Sequence, residues 1–137
     1  MKKYGLGKKE KLSSVRAIEI LFGPGGAEFS TLAYPLRAVA RTDEVRASDA
    51  PVAFLISIPK KRLRHAVDRV AMRRRVREAY RLNRDRYVLP DGLRIDLGFV
   101  YVADRLMNYS AVERAMNRIL AALAAKYSSS SDAEIHQ

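Results

Sequence analysis

The sequence predicts an α/β (α+β) two-layer sandwich, a small mixed sheet carrying about three helices in the order α-β-β-α-β-α. Three observations predict it. Two apolar runs, Val52–Ile58 and Leu93–Ala103, flank a long segment with helical apolar spacing, which makes a strand–helix–strand unit. A hydrophobic content of 48% with 30% charged residues over 137 residues is that of one folded domain with a sizeable core. The backbone breakers Gly23-Pro24-Gly25-Gly26, Pro59 and Pro90-Asp91-Gly92 fall where one periodicity gives way to another.

Each element follows in order. Residues 1–12 (MKKYGLGKKEKL) are rich in lysine and glycine and read as a flexible basic arm. A single domain spans 13–127. Ser13 or Ser14 can cap a short helix, VRAIEILF, which stops at the glycine cluster. Phe29–Arg41 reads as a strand with Pro35 at a bulge or on an edge. Residues 42–50 form a polar connection with room for a further strand. Val52–Ile58 is an almost continuous apolar run, as expected of a strand buried on both faces. Residues 66–83 form the central helix, with Met72, Val76, Ala79 and Tyr80 on its packing side. Leu93–Ala103 is a strand with Ile95, Leu97, Phe99 and Tyr101 on one side. Ser110 and Glu113 form a capping box that opens a last, Ala-rich helix. Residues 128–137, poor in apolar side chains, read as a disordered tail.

Charge is distributed unevenly. The segment Lys60–Arg86 holds 12 of the 26 Lys and Arg residues against three acids, Asp68, Glu78 and Asp85, so nearly all of the net charge of +11 lies in one fifth of the chain. On the central helix Arg69, Arg73, Arg77 and Arg81 drift by only about 40° per step, and Arg74 shares their sector. Like charges at this spacing repel. Arginines that bear this cost on one face point to a phosphate-rich partner, since guanidinium makes planar, bidentate phosphate contacts and stacks on bases.

Other chemistries are excluded or poorly supported. There is no cysteine, hence no disulfide and no thiolate metal site, and two histidines cannot build a His-rich site. The longest apolar-rich run, Ala50–Ile58, has nine residues, too short for a bilayer span. The lysines at the start are followed by no apolar signal segment. The expectation is a soluble, cytoplasmic, strongly basic domain. The glycine cluster lacks a Lys-Ser/Thr continuation and reads as a turn rather than a phosphate loop. Asp96 and Asp104, one on a strand and one in a loop, read as surface or loop carboxylates rather than a metal pair. His65 reads as a near-cap or RNA-adjacent residue rather than a general base. With no convergent catalytic set, any chemistry comes from something the chain binds. Of the aromatics in the predicted elements, Phe22 and Tyr34 are the ones expected partly exposed; beside the basic helix they would suit a single strand of nucleic acid.

The run KKRLRHAVDRVAMRRRVREAYR resembles the signature helix of the bacterial ribonuclease P protein component, with Ala66-Val67, Arg69, Arg73-Arg74 and Arg77-Glu78 in matching places. LSSVRAIEILFGPGG is similar to the family's first helix, Phe22 matching its second aromatic and Ile18 standing where the first is expected. Val70 and Ala71 replace the signature's Asn and second Arg, with Arg74 and Arg75 following. The resemblance, over roughly residues 8–127, implies a left-handed β-α-β crossover and a function. The protein would bind the catalytic RNA subunit of ribonuclease P and the 5′ leader of precursor tRNA, promoting endonucleolytic 5′ maturation. It implies that Lys60, Lys61, Arg62, Arg69, Arg73, Arg74, Arg77 and Arg81 contact RNA, and that Phe22, Tyr34 and Arg37 form the leader cleft. No protein residue would be catalytic, no metal would be bound by the protein, and Mg²⁺ would be held largely by the RNA. No membrane and no small-molecule substrate is expected. The alternative is a ribosomal or other structural RNA-binding protein with no role in cleavage.

Overall fold

A computed structural model describes residues 11–12, 15–42, 52–90 and 92–135. Its elements are α1 (Val15–Phe22), β1 (Phe29–Ala33), β2 (Leu36–Thr42), β3 (Val52–Ser57), α2 (Ala66–Asn83), β4 (Ile95–Tyr101) and α3 (Tyr109–Ile135), with a short 3₁₀ turn at Arg84–Arg86. The four strands form one mixed sheet in the order β1-β2-β4-β3; β4 is antiparallel to β2 and parallel to β3. The α+β class holds, and α2 is the crossover that joins the parallel neighbours β3 and β4.

The central position of β4 explains its composition. Ile95, Leu97, Phe99 and Tyr101 are fully buried against α2 and α3. Leu36, Ala38 and Ala40 of β2 extend the same face, and Val112, Met116, Ile119 and Leu123 of α3 cover it. The rings of Phe54, Tyr80 and Phe99 pack together, Phe54 and Tyr80 with centroids 4.6 Å apart. Such pairs add about 0.5–1.5 kcal/mol beyond area burial. The opposite face is covered only in part: Ala17 and Leu21 of α1, with Leu12, form a second, smaller core on Ala53, Val39 and Leu55.

Four expectations are corrected. Phe29–Arg41 is not one strand: it turns at Tyr34-Pro35 and pairs with itself, Ala33 opposite Leu36 and Phe29 opposite Ala40. Proline thus sits in the turn, where its missing N–H costs no ladder bond. Strand β3 lies at the sheet edge and is buried at Ala53 and Phe54 but only half-buried at Leu55 and Ile56. The third correction is at the start of α3, where Asn108, not Ser110, supplies the cap: the Ala111 N–H donates to Asn108 Oδ1 at 2.9 Å. Glu113 instead faces α2 and accepts from Asn83 Nδ2 at 3.1 Å. Finally, α3 continues to Ile135, past the point where the composition ends it.

Leu12 is also buried, and its N–H donates to the Phe54 carbonyl at 2.8 Å, so the last two residues of the expected arm lie along β3. The rest of the arm, the cap candidates Ser13 and Ser14, and the 43–51 connection lie outside the described residues.

Candidate nucleic-acid interface

Helix α2 begins where the sequence places it. His65 is extended at φ −88° and ψ 131°, and its carbonyl accepts from the N–H groups of Asp68 and Arg69. Met72, Val76, Ala79, Tyr80 and Asn83 are buried, which turns the arginine sector outward. Packing and charge thus separate on the two sides of one helix.

The arginines then divide by their partners. Arg69 is half-buried, and its Nη1 donates to the carbonyls of Leu63 and Arg64, both at 2.9 Å, tying down the lead-in to the helix. Arg81 pairs with Glu78 one turn earlier; this contact holds the Glu78 carboxyl below its usual range, chiefly through the hydrogen bond. Arg62 pairs with exposed Asp104 at 2.8 Å. Arg75, absent from the predicted set, donates to the Met107 carbonyl at 2.6 Å. Arg73, Arg74, Arg77, Lys60 and Lys61 are exposed, and among the described residues their side chains make no hydrogen bond or ion pair. The same holds for Arg64, which precedes the helix and so falls on no periodic face that would mark it in the sequence.

The loop after β4 presses against this helix. The Tyr101 hydroxyl donates to the Arg105 carbonyl and accepts from the Met107 N–H at 3.2 Å. Arg62 and Arg75 hold the same loop from the α2 side through Asp104 and Met107. Next to it Arg74, Arg75, Arg77, Glu78 and Tyr109 line a shallow hollow of about 380 Å³. Burial, and then its hydrogen bond to Glu113, pushes the Tyr109 phenol up to about 12, so it remains a neutral donor at physiological pH.

The partly covered sheet face carries the second group. Phe22, at the end of α1, is 44% exposed. Its ring lies over Gly98 of β4 and beside Val39 of β2. The next row on that face, set by register, is Leu32, Arg37, Val100 and Ser57. Leu32 and Arg37 are exposed. Phe22 and Arg37 therefore share one face. Tyr34, 59% exposed, stands at the hairpin tip rather than in a strand. There it helps raise the Tyr101 phenol, whose upward shift comes first from burial. Sequence reasoning missed Leu32, because its exposure follows from the hairpin pairing.

The remaining candidates are accounted for locally. Gly26 folds back on α1 so closely that a Cβ there would lie 1.7 Å from the Ile20 carbonyl oxygen, and Gly25 has φ +69°. The glycine cluster is a tight helix-ending turn. Arg41 ties it to β2 by donating to the Gly26 carbonyl at 3.2 Å. Asp96 is buried near the start of β4, while Asp104 lies beyond its end, paired with Arg62. Among the described residues no three carboxylates or histidines stand together as a metal site. None of the described helices is long and apolar enough to cross a membrane.

Comparison with known proteins identifies the family. Residues 6–124 match the family Ribonuclease P. Two curated relatives, each the ribonuclease P protein component of a Porphyromonas gingivalis strain (ATCC 33277 and W83), are 40% identical over 133 residues and 39% over 135. Each alignment covers 93% of this chain and 92% of the relative. At that identity across nearly the whole length, the chain belongs to the family of ribonuclease P protein components.

Proposed function

We propose that this chain is the protein subunit of ribonuclease P, binding RNA and taking part in the 5′ maturation of tRNA. The observation that carries the mechanism is the division of labour on α2: Arg73, Arg74 and Arg77 have no partner among the described residues, whereas the other arginines of the helix are engaged within the fold. Free guanidinium groups on a rigid scaffold make charge-assisted, bidentate contacts to phosphate without first breaking an internal pair. In this reading α2, with Lys60 and Lys61, grips the catalytic RNA. Arg62 joins by exchanging its exposed pair with Asp104, which is worth at most about 1 kcal/mol.

The face beside Phe22 and Arg37 takes the single-stranded leader of precursor tRNA, a base stacking on the ring and phosphate meeting the guanidinium. Tyr34 borders this path at the hairpin tip. Among the described residues no acid, base and nucleophile converge, and in this reading the RNA supplies the bond-breaking chemistry. The described donors do not fit a magnesium site: Asp96 is buried and Asp104 is paired with Arg62. Mg²⁺ would be held largely by the RNA, and the assembly would work in the cytoplasm.

The test is cleavage of precursor tRNA at low Mg²⁺ with the cognate catalytic RNA. Wild-type protein stimulates cleavage at the mature 5′ end. The Arg73→Glu/Arg77→Glu double variant loses assembly and stimulation while keeping its circular dichroism, because neither side chain packs. Full stimulation by a correctly folded double variant would overturn the assignment of α2. No stimulation by the wild type at any salt would favour a structural RNA-binding role.

A further inference from the structure

Strand β4 reads IDLGFVY, and its glycine stands in the middle of the central strand of the sheet. A glycine there is intrinsically unfavourable: it loses more backbone entropy on folding and packs nothing. Gly98 has no positive φ to explain it. What explains it is the ring above. A Cβ on Gly98 would lie 2.6 Å from Cζ and 3.4 Å from Cε1 of Phe22, and 3.2 Å from Cγ2 of Val39. The first separation is inside van der Waals contact, so a side chain and the ring cannot both occupy this place.

We infer that Gly98 is a positioning residue: its bare Cα is the seat that lets the Phe22 ring lie down on the sheet, at a depth where a leader base can stack on it next to Arg37. The inference deepens the leader reading of this face and rests on it.

The neighbours make the seat decisive. Helix α1 cannot rise to make room, because Ala17 and Leu21 are buried against Ala53, Val39 and Leu55, and the turn after it is tied to β2 through Arg41 and Gly26. The ring can yield, because it is half open to solvent and sits at the end of its side chain. A methyl group at position 98 therefore displaces the ring and leaves helix and sheet in place. The stacking platform tilts or lifts, while the arginine face of α2, on the other side of the sheet, is untouched.

The experiment compares wild type, Gly98→Ala, Phe22→Ala and the double variant, each assembled with the catalytic RNA. The affinity of each holoenzyme is measured for precursor tRNA and for the same tRNA without a leader. Gly98→Ala is expected to weaken binding of the leader-bearing substrate by about 5- to 150-fold, the range that loss of one aromatic–base stack produces. Leaderless tRNA and assembly with the catalytic RNA should be unaffected. The double variant should be no weaker than Phe22→Ala alone, because residues that act through one ring are not additive. Wild-type leader affinity in Gly98→Ala, or additive losses in the double variant, would overturn the seat. If Phe22→Ala itself binds leader normally in an assembled holoenzyme, the leader reading of this face fails and the seat's role falls with it. If only Gly98→Ala is silent, the leader reading stands and the seat alone is wrong. A loss that falls equally on leaderless tRNA marks Gly98 as structural and rejects the proposal.

Discussion

On α2 the same side chain serves the fold or the surface according to which carbonyls and carboxylates lie within its reach. Arg69 donates to two backbone carbonyls that have no helical partner, those of Leu63 and Arg64. Arg73, one turn on, reaches nothing among the described residues. Hydrogen bonds to a charged donor are worth about 1.5–3 kcal/mol, whereas a surface substitution away from such features stays within about 0.5 kcal/mol. Arg69→Ala should therefore lower unfolding free energy by about 1–3 kcal/mol in urea, and Arg73→Ala should leave it unchanged. Equal stability of the two variants would mean that Arg69 is no more anchored than its neighbour. This distinction was not legible in the sequence. A helical projection places Arg69 with Arg73 and Arg77 because it knows only angle, and the carbonyls that claim Arg69 belong to residues before the helix. The exposure of Phe22 was legible, since it stands at the end of α1, where cover from the core runs out; that of Tyr34 rests on a turn the structure reveals.

Elements were legible where one periodicity held to a clear end. The bounds of α2 follow from its packing face and from the change of backbone at His65. The hairpin at Tyr34-Pro35 was not, since FSTLAYPLRAVAR alternates on both sides of the turn and reads as continuous. The edge position of β3 was hidden for a related reason: α1 with Leu12 on one face and α2 on the other make an edge strand as apolar as a central one. The start of α3 tests the element scale directly. Ser110 and Glu113 have the spacing of a capping box, but Asn108 meets the Ala111 N–H in the first turn and Glu113 is drawn to Asn83 and Tyr109. Asn108→Ala should cost about 1 kcal/mol of stability, typical of a lost N-cap, while Ser110→Ala costs almost nothing. A thermal melt that ranks the two the other way would restore the capping box.

For the whole molecule, a net charge of +11 and a pI near 10.3 guarantee attraction to RNA but do not say whether binding rests on contacts or on a diffuse field. The two differ in salt dependence. Each phosphate neutralised releases condensed counterions, so the logarithm of the association constant falls linearly with the logarithm of salt concentration, by about 0.7–0.9 per contact. If the free guanidinium groups make the contacts, Arg73→Ala, Arg74→Ala and Arg77→Ala should each make that slope shallower by about 1. Arg69→Ala should change it much less, because that side chain is committed to Leu63 and Arg64 whether or not RNA is bound. A diffuse field would treat the four arginines alike, since each substitution removes one charge from the same helix. Titrating the catalytic RNA with these four variants across a range of potassium chloride concentrations separates the cases. Three clearly shallower slopes and one nearly unchanged assign recognition to the exposed arginines of α2, and four equal slopes assign it to net charge.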